Sequence, residues 1–309
     1  MPSINFISSF RMASLLGAKI YLIDVDENTG QMTTQNILKC IKKNKIKKIK
    51  VLVTMYLGGY VENNIELFNL KRKFKFSILE DACHAIGSKY KFRNKSFYIG
   101  SCKHSDVCVF SFHPVKTITT GEGGAVLTNN KKIANTMSLQ KNHGIIRNGK
   151  KYWDYNILNL GFNYRLSDIN CALGVSQLRK IEKFFRERKK IFEFYIKSLS
   201  EFKNYIFLPK TNNNNNLYHL FLMGINFRKL KTNKDNFIKF LIKKNIYVQF
   251  HYKPIYKFSF YKKNQSKNFP GTNKYYERYV SLPIYSGLSL NQQKFVIDSI
   301  KEYLHLKIK

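Results

Sequence analysis

The stretch at residues 106–130, DVCVFSFHPVKTITTGEGGAVLTNN, decides the fold. It opens with a short apolar run, 106–112, rich in Val and Phe. It closes with a second, GAVL, that enters the turn residues TNN. Both runs read as strands bounded by turn chemistry. Between them lies a Pro-containing turn, a lone lysine (Lys116) five residues after Ser111, and a Thr- and Gly-rich segment. Glycines 121, 123 and 124 let backbone approach closely or adopt positive φ.

Working outward, FSILED (76–81) and IKVLVTMY (49–56) are further apolar runs of strand length, and so is KIYLIDVD (19–26). TTQNILKCIKKNK (33–45) begins on Thr and carries Ile37, Leu38 and Ile41 at helical spacing. Leu67, Leu70 and Phe74 keep the same period. Strands alternating with helices predict an α/β fold with a mainly parallel sheet. Ligands in such sheets sit beyond the carboxyl ends of the strands. That rule points at Asp81, Ser111 and the loop through Lys116.

Beyond NYRLSD the pattern predicts one long helix. Cys171, Val175, Leu178, Ile181 and Phe185 share a face that Phe192, Tyr195 and Leu199 continue. KTNNNNN (210–216) reads as a loop. LYHLFLMGINF and IYVQFHYKP read as strands, and 234–244 and 291–304 as helices. The expectation is a large domain at 1–195 and a smaller C-terminal α/β domain at 196–309. At 309 residues and 44% apolar composition, the chain is long enough to bury both cores.

The formal net charge is +35, from 54 Lys+Arg against 19 Asp+Glu. Basic residues are spread along the chain and mixed with Asn and Ile, without a regular aromatic interleave. That distribution argues for compositional bias over a nucleic-acid footprint. A basic nucleic-acid-binding protein stays as an alternative. The five cysteines include no metal-knuckle spacing, so they read as reduced thiols of a cytoplasmic protein, with no metal. No basic segment precedes an apolar run at the N-terminus, and no apolar run reaches membrane length.

One acid and one lysine invite chemistry. Asp81 ends a buried run three residues before His84, and a carboxylate there is costly unless paired. A desolvated Lys116 would have a lowered pKa and could form a Schiff base. Taken alone, Asp81 reads first as a turn cap and Lys116 as a surface lysine; only their neighbours single them out. Asn163 and Arg165, before the long helix, are by themselves loop and capping residues.

Together EDACHAIGSKY, SFHPVKTITTGEGGAV, NHGI, GFNYRLSDINCALG, VQFHYKPIY and LPIYSGLS occur in the order found in the DegT/DnrJ/StrS family. The chain resembles these pyridoxal-phosphate sugar aminotransferases over its whole length. The resemblance implies the aspartate-aminotransferase fold, fold type I. It implies Lys116 as the Schiff-base lysine, Asp81 as partner of the pyridinium nitrogen, and His84 against the ring near its phenolic oxygen. Ser111 would bind the cofactor phosphate. Asn163 would reach the phosphate of a neighbouring subunit, which makes a homodimer part of the expectation. His251 and Tyr252 match a stretch bordering the nucleotide-sugar site.

Related dehydratases carry His where this chain has Lys116, so transamination is implied. HPVKTITTGEGG resembles the members that aminate the 4-keto group of a UDP-linked 6-deoxy-N-acetyl sugar on the way to pseudaminic acid, with glutamate as donor. The family's members begin with a further segment, including a Gly/Ser/Thr-rich turn that opens a helix toward the cofactor phosphate. The resemblance here starts only at PSINF. A catalytically impaired or non-catalytic remnant of the family is the second alternative.

Overall fold

The structure is a computed structural model. It describes residues 1–62, 64–147, 149, 151, 153–209, 217–261 and 268–308. The N-terminal half runs α1 (Ile7–Leu15), α2 (Thr34–Lys43), β1 (Val51–Met55), α3 (Asn64–Phe74), β2 (Ser77–Asp81), β3 (Lys89–Phe92), β4 (Lys95–Tyr98), β5 (Val107–Ser111) and β6 (Gly124–Leu127). It continues through α4 (Lys131–Gln140), β7 (Ile145–Ile146), β8 (Asn156–Ile157), α5 (Asp168–Leu178) and α6 (Ile181–Leu199). The remainder holds β9 (Ile206–Phe207), β10 (Phe221–Ile225), α7 (Lys234–Lys243), α8 (Pro270–Arg278), β11 (Tyr279–Leu282) and α9 (Leu290–Ile308).

The main sheet has the order β1-β2-β5-β6. The first three strands are parallel, with Met55 opposite Asp81 and Asp81 opposite Val109. β6 returns antiparallel, placing Ser111 opposite Gly124. The carboxyl ends of β1, β2 and β5 therefore share one edge. α2 starts where Thr33 accepts the Asn36 N–H, and it lays Ile37 in the core under β1 and β2. A second sheet, β11-β10-β9, is antiparallel. Its core gathers Phe221, Met223 and Ile225 with Leu241 of α7, Ile300 of α9 and Phe192 and Tyr195 of α6. The predicted α/β fold with a mainly parallel sheet and a further α/β part is what forms. α6 runs through residue 195, so the two parts share a helix.

Three expectations are corrected. Residues 19–26 form no regular strand. Ile23 bridges Pro2 alone, through Ser3 N–H to the Ile23 carbonyl and Ile23 N–H to the Met1 carbonyl, both at 2.9 Å. Leu22, Ile23 and Val25 are buried all the same, so the apolar pattern reported burial and not a ladder. Similarly, among the described residues IYVQFHYKP pairs only through Gln249 and Ser281. The long helix is two. At Arg179–Lys180 the bonding tightens, with Lys180 N–H reaching Gln177, and α6 restarts at Ile181. α5 buries nothing within this chain: Val175 and Leu178 are 52% and 53% exposed, and Cys171 is exposed. The loop expected at 210–216 lies outside the described residues.

Candidate active site

The shared strand edge carries three turns that converge. β1 leads into Gly58 and Gly59, whose φ angles are +71° and +90°. Both need glycine. A Cβ on Gly59 would also meet the His84 carbonyl at 2.7 Å. β2 leads into Asp81, Cys83 and His84. β5 leads into Ser111 and the Lys116 loop, closed by Phe112 N–H to Gly123 and Thr120 N–H to Phe112. Within it Lys116 N–H bonds the His113 carbonyl at 2.9 Å, which closes a turn at the lysine.

Asp81 is buried, 8% exposed. Among the described residues its oxygens receive the Ser9 hydroxyl at 3.4 Å and the Cys83 N–H at 3.3 Å, and the Cys83 thiol also hydrogen-bonds the carboxylate. Burial lowers the Lys116 pKa, and the opposing attractions come from Cys83 and Asp81. Burial and the Asp81 charge push the Cys83 thiol up. It is neutral at ordinary pH, so Asp81 is the anion that acts on Lys116.

Three histidines ring this pair. His84 Nδ1 accepts the Gly58 N–H at 3.3 Å, and its Nε2 lies 2.9 Å from the Tyr252 hydroxyl. His219 stacks on His84 with centroids 4.4 Å apart, and its Nδ1 lies 3.2 Å from Thr117 Oγ1. Its N–H and that of Leu220 both reach the Gly58 carbonyl. Its own carbonyl accepts from the buried Arg188. His251 Nδ1 lies 2.7 Å from Ser281 Oγ. Desolvation, then neighbouring positive groups, drives His84 and His219 well below the usual imidazole range. Burial and Lys116 take His251 down to about 4. The three imidazoles stay neutral close to the Lys116 amine.

The structure thus brings together Asp81, His84, Lys116, His251 and Tyr252. Ser111 stands on the same edge, its Oγ accepting the His113 N–H at 3.4 Å. Asn163 does not join them. It is exposed and bridges Asn142, and among the described residues none of its contacts reaches the Lys116 cluster. Sequence reasoning missed Ser9, Cys83 and His219. It also missed Phe6, which is exposed and stands 5.8 Å from the Tyr252 ring. Cys83 was readable inside the EDACH motif. The other three come from distant segments with no distinctive spacing.

A desolvated lysine beside a strand-end carboxylate, on the carboxyl edge of a parallel sheet, is the arrangement of a pyridoxal-phosphate enzyme of the aminotransferase fold. The chain belongs to the DegT/DnrJ/EryC1/StrS aminotransferase family, whose pattern matches residues 1–301. It is 34% identical over 298 residues to the UDP-4-amino-4,6-dideoxy-N-acetyl-beta-L-altrosamine transaminase of Campylobacter jejuni strain 81-176, covering 96% of this chain and 76% of that one. The structure is similar to Helicobacter pylori PseC, an aminotransferase of pseudaminic acid biosynthesis, with TM-score 0.87, 26% identity, and coverage of 99% and 79% of the two chains. A Streptococcus pneumoniae protein solved in its PLP form matches with TM-score 0.85 at 23% identity, covering 100% and 81%. The cofactor is pyridoxal phosphate. The residues fit it: Asp81 is a buried carboxylate whose hydrogen bonds from Ser9 and the Cys83 N–H are long, and Lys116 is an amine that burial tips toward its neutral, nucleophilic form. Among the described residues no helix is long and apolar enough to cross a membrane, and no cluster of side chains could hold a metal ion.

Proposed function

We propose that this chain transfers an amino group from glutamate to the 4-keto group of a UDP-linked 6-deoxy-N-acetyl sugar, and does so as a homodimer. The observation that supports the reading is a desolvated Lys116 that feels the Asp81 charge, with neutral histidines near enough to feel its own. The Campylobacter relative, named for a UDP-sugar transaminase, supports the substrate class.

Bound pyridoxal phosphate supplies an aldehyde carbon and an electron-withdrawing ring. Asp81 would accept a hydrogen bond from the ring nitrogen and keep it protonated. Lys116 Nζ would hold the aldehyde carbon. Once released, it would take a proton from the donor's α-carbon. In the second half of the cycle it would deliver one to the sugar carbon. Positioned proton transfer of this kind contributes roughly 10²–10⁴-fold. His84 would lie against the ring and Ser111 would hold the phosphate. Asn163, remote from the cluster in its own chain, would serve the site of a second copy. The exposed apolar face of α5 suits such an interface. Residues 1–195 would form the cofactor domain, and 196–309 the smaller domain that brings His251 and Tyr252 to the sugar.

The test is turnover. Protein supplied with pyridoxal phosphate and glutamate should aminate a UDP-linked 4-keto-6-deoxy-N-acetyl sugar, and Lys116→Ala should not. Wild-type protein inert toward such sugars would refute the reading.

A further inference from the structure

We propose that Tyr252 presents a hydrogen-bond donor to the carbonyl oxygen of the substrate, and that His84 fixes it in that role. The inference rests on the transaminase reading for the identity of the carbonyl. The direction of the hydrogen bonds rests on geometry alone.

The argument begins at Gly58. Its N–H lies 3.3 Å from His84 Nδ1. A backbone amide only donates, so Nδ1 carries a lone pair and no proton. An imidazolium, protonated on both nitrogens, is excluded. The single ring proton is on Nε2. The 2.9 Å contact to Tyr252 therefore has one direction: His84 Nε2–H donates and the phenol oxygen accepts.

The Tyr252 proton must point elsewhere. Among the described residues no second hydrogen-bond partner takes it. The Asp81 carboxylate and the neutral Cys83 thiol, the two groups beside Lys116, are also the two that lie near this hydroxyl. Among the described residues this O–H keeps no acceptor, on the same strand edge as the lysine amine. Burial pushes its pKa up, so it stays a donor throughout the working pH range. An oxygen acceptor completes it, and the carbonyl that meets an amine at this edge supplies one.

Around this relay the rings are held. His219 stacks on His84 at 4.4 Å, and the His84 backbone abuts Gly59. The Tyr252 ring has Phe6 at 5.8 Å on one side, and the His251 ring lies 4.8 Å from it. The tautomer is thus set by the Gly58–Gly59 turn and not by Tyr252 itself.

Two measurements test this. The first is imidazole ¹⁵N NMR of cofactor-free protein, wild type and Tyr252→Phe, with His84 assigned by His84→Gln. His84 should be the neutral Nε2–H tautomer in both. A protonated ring, an Nδ1–H tautomer, or a tautomer that switches in Tyr252→Phe would overturn the proposal. The second compares the two half-reactions in cofactor-loaded protein by stopped flow. Tyr252→Phe should slow the keto-sugar half at least about tenfold more than the glutamate half, the loss of one hydrogen bond. Equal slowing of both halves would mean a merely structural tyrosine and would also overturn it. Wild-type protein that accepts glutamate but no keto sugar would instead refute the transaminase reading, and the NMR result then decides the tautomer claim by itself.

Discussion

Glu80 and Asp81 are adjacent carboxylates at the end of β2, both buried, and successive side chains in a strand face opposite sides. Glu80 turns to the interior. Its Oε1 accepts the Tyr56 hydroxyl at 2.5 Å, and Tyr56 in turn accepts from Asn64 at 2.7 Å. Burial raises its pKa, against hydrogen bonds that pull it down. Asp81 turns to Lys116. One acid thus ties the strand to the interior while its neighbour faces the proposed cofactor site, and the dipeptide itself does not say which is which. Tyr56→Phe removes the short hydrogen bond to Glu80 and leaves the Asn64 amide without its partner. It should destabilise the fold by about 1.5–3 kcal/mol, the range for a hydrogen bond to a charged group. Denaturant titration measures this, and a loss under about 0.5 kcal/mol would show that the network contributes little.

At the scale of elements, the legible parts were those where local pattern and burial agree. β1, β2 and β5 are apolar runs that also pair in a ladder, so reading them as strands succeeded. Thr33 caps α2 through a side-chain bond its sequence advertises. Residues 19–26 have the same apolar look, but only Pro2 lies alongside, and no local feature records how many neighbours a segment will find. The break between α5 and α6 has no Gly or Pro to mark it. It arises at Arg179–Lys180 from a tightened turn, and it lets α6 pack Ile191, Phe192 and Tyr195 inward while α5 stays exposed. In the site, Asp81, His84 and Lys116 were legible because each ends or follows a strand. Ser9 and His219 were not, since they reach the cluster only through tertiary packing. Residue 219 arrives because the Gly58 carbonyl accepts its N–H.

For the whole molecule, the three cluster histidines make a pH statement. His84, His219 and His251 all have folded pKa values below the unfolded value of about 6.5. Below that value the unfolded chain binds protons that the folded chain refuses. Stability is therefore full above about pH 6.5 and is lost as pH falls beneath it, down to about 4 for His251. Each histidine contributes up to about 1.4 kcal/mol per pH unit in that window. Thermal unfolding of cofactor-free protein between pH 7 and 5 should show a steep drop that shrinks when His251 is replaced by Asn. A melting temperature flat across that range would contradict the buried, neutral cluster.

The central claim is that one lysine, among the many of a chain with net charge +35, is the cofactor-reactive amine because its surroundings desolvate it. Borohydride reduction of protein loaded with stoichiometric pyridoxal phosphate, followed by peptide mapping, tests that most directly. The account predicts one phosphopyridoxyl label, on the peptide that carries Lys116, and its disappearance in Lys116→Ala. Label spread across surface lysines, and unchanged by that substitution, would contradict it.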